Sequence, residues 1–94
     1  MAGTCRDIYD ACEKGKKEEV ERFIRAGVGV NEKDNFGTTP IHLAAWGGYT
    51  DLVKLLLENG AEETKDDQGL TAKARARKEQ RSDALAIFRD FENW

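Results

Sequence analysis

The stretch from Asp34 to Ala61, DNFGTTPIHLAAWGGYTDLVKLLLENGA, constrains the fold of this chain most, because it returns in altered form on both sides. It reads as turn, helix, tight turn, helix and glycine stop. Moved back by 33 residues, the template lays Gly60 on Gly27, Gly48 on Gly15, Val53 on Val20 and Ala44-Ala45 on Ala11-Cys12. Moved forward by 32, it lays Gly37-x-Thr39 on Gly69-x-Thr71, Ala44 on Ala76, and Val53, Leu55 and Leu56 on Leu85, Ile87 and Phe88. A period of this size marks a stacked repeat, in which each unit buries its apolar face against the next. Such arrays usually work by binding rather than by chemistry.

Within the central unit, Thr39 is a good N-cap and Pro40 suits the first helical position, where a missing N–H costs nothing. The helix continues through Ile41, Leu43, Ala44 and Ala45 until Gly47-Gly48 stops it. Thr50 or Asp51 is expected to cap a second helix, whose apolar face is Leu52, Val53, Leu55, Leu56 and Leu57, and Asn59-Gly60 ends it. In the first copy, helices are expected over 7–14 (Ile8, Tyr9, Ala11, Cys12) and 18–25 (Val20, Phe23, Ile24). In the third, two helices follow Thr71 and break near Gln80, Arg81 and Ser82, with Phe91 and Trp94 closing the chain. Helices this short are marginal alone, so they must pack on their neighbours.

The run GTTPIHLAA from Gly37, followed by LLLENGA from Leu55, resembles the ankyrin-repeat signature, with Ile41 in place of the usual leucine. The match extends over roughly residues 5–91 and is strongest in the centre. The resemblance implies an all-α ankyrin-repeat solenoid of L-shaped helix pairs, with β-turn fingers near 33–36 and 65–68. It divides a single domain, 1–94, into an N-terminal cap repeat (5–33), a complete repeat (34–65) and a C-terminal cap repeat (66–94). The first copy lacks the finger motif. In the third, Ala72, Lys73, Ala74 and Arg75 replace proline, an apolar residue, histidine and leucine, and one residue is missing between Gly60 and Gly69. Three repeats are the fewest expected to be stable. The chain reads either as a complete small protein or as a piece of a longer array, and the polar third copy, as an end cap, favours the first.

Composition narrows the function classes. A net charge of −3 gives no bulk attraction to nucleic acid or to an anionic membrane. No apolar run approaches the ~20 residues that span a bilayer, and the first residues lack the pattern of a signal peptide. The two cysteines, Cys5 and Cys12, are read as thiols in a reducing compartment, the cytoplasm or, as a variant, the nucleus. Two helical turns would separate them by about 10 Å, beyond disulfide reach.

Each chemical constellation has a plainer structural reading. The single histidine, His42, lies one helical turn after Thr39. The resemblance implies that it bonds the threonine and the turn backbone, so Thr39, Pro40 and His42 are structural. No second histidine completes a zinc site, and no metal or cofactor is expected. Gly27-Val28-Gly29 follows a helix and lacks a third glycine, which excludes a phosphate loop. Residues 31–35 carry lysine inside a would-be calcium loop and lack the later glutamate. The basic run from Lys73 to Arg81 is read as the solvated outer face of a terminal helix, ahead of a localisation signal or phosphate-contacting patch.

What remains is a set of residues that the repeat does not require. Phe36 falls at a finger tip and Trp46 near the end of an inner helix; exposed aromatics of this kind make protein-binding hot spots. Trp46 could instead pack sideways on the neighbouring repeat. The partner-binding set is Lys33, Asn35, Phe36, Thr38, Trp46, Gly47, Tyr49, Asp67, Gln68, Lys78 and Glu79, joined by Glu13 and Lys14 on the first inner helix. The expectation is a non-catalytic, monomeric module that binds another protein through its concave face. No small-molecule substrate, nucleic acid or membrane is expected. The rival reading is a structural unit that self-associates through its end faces, with Trp94 as the motive.

Overall fold

A computed structural model describes residues 6–91, which measure 35 × 26 × 21 Å along their principal axes. Six helices follow one another: α1 (Ile8–Lys14), α2 (Lys17–Arg25), α3 (Pro40–Gly47), α4 (Thr50–Glu58), α5 (Ala72–Lys78) and α6 (Ser82–Arg89). No strand occurs among the described residues. The helices form two layers. In the inner row α3 packs between α1 and α5, and in the outer row α4 packs between α2 and α6, while each inner helix packs on its own outer partner.

Side-chain size explains the layering. Beside Ile8, Pro40, Ile41 and His42, the inner helices bury six small residues, Ala11, Cys12, Ala44, Ala45, Ala72 and Ala76, which let their backbones approach closely. The outer helices bury Val20, Leu52, Val53, Leu56, Leu57, Ala84 and Phe88. Complete burial of one such large apolar side chain contributes about 1.5–3 kcal/mol. No single pair has enough of them, and stacking supplies the remainder.

The join between paired helices is the same in all three units. Residues Lys16, Tyr49 and Arg81 donate their N–H groups to Ala11, Ala44 and Ala76, at 2.9, 3.0 and 2.8 Å. The residue before each takes a left-handed conformation: Gly15 and Gly48 in two units, and Gln80 (φ 57°) in the third. This geometry corrects the expected cap. Tyr49, not Thr50 or Asp51, is the N-cap of α4, and it makes no side-chain capping bond. The backbone turn leaving α3 already sets the first turn of α4, so no capping side chain is needed.

The third unit departs from the expected apolar face in one respect. Phe88 and Ala84 are fully buried, whereas Leu85 and Ile87 pack only partly against the core. Phe91 also packs on the core, and Trp94 and Cys5 lie outside the described residues.

Candidate functional site

Two turns project between the helix pairs, and an aspartate organises each. Asp34 Oδ1 accepts N–H bonds from Phe36 (2.8 Å) and Thr38 (2.9 Å). Asp66 Oδ1 does the same for Gln68 and Leu70, both at 2.9 Å. The backbone closures match as well, Asp34 N–H to Thr38 O and Asp66 N–H to Leu70 O, each 2.9 Å. The residue missing after Gly60 therefore leaves the second finger intact and is absorbed before it. The fingers are tied side by side through Asp67 N–H and Phe36 O, 3.1 Å apart.

His42 joins the central unit to the third. Its Nε2 lies 2.8 Å from the Leu70 carbonyl oxygen, so Nε2 carries the proton and donates it. Nδ1 then accepts from the Thr39 hydroxyl at 2.7 Å and lies 3.3 Å from the Thr39 N–H. Burial above all holds the imidazole pKa below its ordinary value of 6.5, against an opposing pull from the Leu70 carbonyl and Asp66. Both ring nitrogens are thus engaged.

An open depression of about 560 Å³ lies on this side of the molecule. Its walls are α1 (Tyr9, Asp10, Glu13), the first finger (Asp34, Phe36, Thr38), α3 (Leu43, Trp46), the second finger (Asp66, Asp67, Gln68) and Arg75 of α5. Arg6 and Asp7 complete the rim. Phe36 is 72% exposed and Trp46 43% exposed. Carboxylates dominate the lining. Tyr9, whose hydroxyl donates to Glu32 O at 2.7 Å, has its pKa raised by burial first and then by Glu32, Asp34 and Asp7.

Arg75 corrects the reading of the basic run. It does not sit on a solvated outer face: its side chain is 12% exposed and pairs with Asp66 Oδ2 at 2.9 Å. Its guanidinium stands over the Trp46 ring, 4.7 Å from the centroid, within cation–π range. Burial alone would raise the Asp66 pKa. The Leu70 N–H, the Arg75 guanidinium and the Gln68 N–H together outweigh it and leave that carboxyl below its ordinary value. Trp46 thus both faces the depression and packs against the third unit, and its carbonyl accepts from Arg81 Nε at 2.9 Å.

The depression gathers only some of the residues singled out from sequence. Phe36, Thr38, Trp46, Asp67, Gln68 and Glu13 line it. Gly47 borders a smaller neighbour of about 280 Å³, with Glu13, Leu43, Trp46 and Arg81. Tyr49 lies against Gly15 and Gly47 so closely that a Cβ at either glycine would run into its ring. It braces the units at this join and does not line the depression. Lys33 reaches across to the Lys65 carbonyl at 3.4 Å, Lys14 pairs with Asp10, and Asn35 is exposed outside the depression. Lys78 and Glu79 also fall outside, because α5 ends there and Arg75 makes the last wall one turn earlier.

Asp66, Asp34 and Tyr9 were not among the site residues singled out from sequence. The two aspartates were recoverable, since they recur at the 32-residue spacing ahead of each finger glycine. Among the described residues no group of three or more His, Cys, Asp or Glu side chains could hold a metal ion, and no helix is long and apolar enough to cross a membrane. Cys12 is fully buried in the core.

Comparison with known proteins adds the lineage of this architecture. The sequence profile of ankyrin repeats, in three copies, matches residues 8–90. An ankyrin repeat-containing protein of Schizosaccharomyces pombe is 37% identical over 68 residues, covering 72% of this chain and 33% of that protein. A Saccharomyces cerevisiae ankyrin repeat-containing protein is 41% identical over 55 residues, 58% of this chain and 11% of its own length. Human protein phosphatase 1 regulatory subunit 27 is 32% identical over 65 residues, 67% of this chain and 42% of that protein. The chain thus corresponds to less than half the length of each of these three relatives.

Proposed function

Because this chain belongs to the ankyrin-repeat family, we propose that it is a non-catalytic module recognising a partner protein through its inner groove and finger turns. The observation that carries this reading is the pair of aromatics on one depression, Phe36 at 72% exposure and Trp46 at 43%. Large rings left in water cost the free molecule contact area that a partner would restore, and such residues dominate binding energies in protein interfaces. The scaffold favours it as well. Paired fingers and stacked inner helices hold the surface in place before binding, so little ordering entropy opposes association.

A non-catalytic role is supported by the use of His42, which is 1% exposed with both ring nitrogens bonded. At that burial neither nitrogen is open to a substrate. The human relative named as a regulatory subunit of a phosphatase suits a protein that acts through another protein. A monomer in the cytoplasm is the setting we propose, with Cys12 kept as a thiol in the core.

Affinity capture from cell lysate with the native chain and with Phe36→Ala/Trp46→Ala tests the reading. The native chain is expected to retain a partner protein that the variant loses, with helix content by circular dichroism unchanged. Equal capture by a folded double variant would remove the groove from consideration.

A further inference from the structure

We propose that the groove takes a basic, extended peptide segment of a partner protein, in which arginine or lysine alternates with aliphatic residues. The inference rests on the protein-binding reading above and gives the partner a chemistry. Six carboxylates line the main depression, Asp7, Asp10, Glu13, Asp34, Asp66 and Asp67, against only two guanidinium groups, Arg6 and Arg75. Arg75 is already neutralised by Asp66.

The carboxylates divide by occupation. Asp7, Asp10, Asp34 and Asp66 each accept local hydrogen bonds that shape the walls. Glu13 and Asp67 are exposed, and among the described residues no side-chain hydrogen bond or ion pair engages them. They stand on different elements, α1 and the second finger, which offers an extended segment two separated points for cations.

The apolar part of the surface fits the same occupant. Glu13, Leu43 and Trp46 line both the main depression and its smaller neighbour, so a carboxylate, an aliphatic group and an indole share the ridge between them. Arg75 over the Trp46 ring shows that this indole stacks a guanidinium, and the side chain retains exposed surface for another. A partner arginine there would gain both a ring face and a carboxylate, a pairing that strengthens as water leaves. Aliphatic residues beside it would cover Leu43 and Phe36. An acidic segment would instead meet Glu13 and Asp67 as like charges, which selects against it.

Two labelled synthetic peptides test this by fluorescence anisotropy, one repeating arginine, leucine and glycine, the other with glutamate for arginine. The arginine peptide is expected to bind, and to weaken as salt is raised. Glu13→Gln/Asp67→Asn should lower its affinity about tenfold or more, whereas Asp51→Asn/Glu58→Gln, which removes the same charge from the outer helix α4, should change it less than about twofold. Preference for the glutamate peptide, binding of neither, or equal losses in both double variants would overturn the inference. Its failure is separable from that of the reading beneath it. A captured partner that needs Phe36 and Trp46 but presents an acidic segment would keep the groove and discard the basic ligand.

Discussion

Gln80 holds its backbone at φ 57°, in the left-handed region that glycine occupies at the equivalent positions 15 and 48. A side chain there brings Cβ against the following carbonyl, at a cost of about 1–2 kcal/mol, and the join between α5 and α6 has to bear it. Gln80→Gly should therefore stabilise the protein by about 1 kcal/mol, read as a raised midpoint in urea denaturation. A neutral or destabilising result would mean that this turn relaxes out of the left-handed region in solution. Such a position is visible in the sequence only through the repeat. Once the copies are laid on one another, glutamine stands where two glycines stand, and the strain can be read without coordinates. Arg75 is the opposite case. Nothing in a run of alanine, lysine and arginine marks one member for burial, because its partners Asp66 and Trp46 are brought to it only by stacking.

The fingers show how an element can be set by a single side chain. Asp66 stitches the second turn through two N–H groups and then neutralises Arg75, while its own side chain is only 2% exposed. Asp66→Ala leaves two turn donors and a largely buried guanidinium without their acceptor. Breaking such a pair costs about 3 kcal/mol, and chemical denaturation should show a loss of that size. Removing the cation too, in Asp66→Ala/Arg75→Leu, should recover part of it; a single substitution costing under about 1 kcal/mol would show that water replaces the aspartate freely. Helix positions were legible within a residue or so from spacing alone, because glycine stops recur with the period. The caps of the outer helices were not. Lys16, Tyr49 and Arg81 begin outer helices by virtue of the preceding turn, and none is a residue type that favours capping.

Across the whole molecule, His42 couples the units by bonding Thr39 on one side and Leu70 on the other. It is also the only histidine in the chain, so no other imidazole contributes to the pH dependence of stability. Because the folded pKa lies below 6.5, the unfolded chain takes up a proton first as pH falls. The associated stability is fully present above that ordinary value and is lost progressively below it, toward the lower folded pKa. The urea midpoint should fall between about pH 7 and pH 5, and His42→Gln should flatten that window. An unchanged slope in the variant would assign the pH dependence to other groups.

The fully buried apolar residues that hold the stack together, such as Ala44, Leu56 and Phe88, are not those that line the depression. Asp66, which is both buried and part of the lining, is the exception among the turn residues described above. A lineage could therefore exchange Glu13, Phe36 or Asp67 one at a time and acquire a different partner, while the inherited frame stayed folded through every step. At Asp66 such drift would meet resistance, since a change of preference there would also be a change of fold stability.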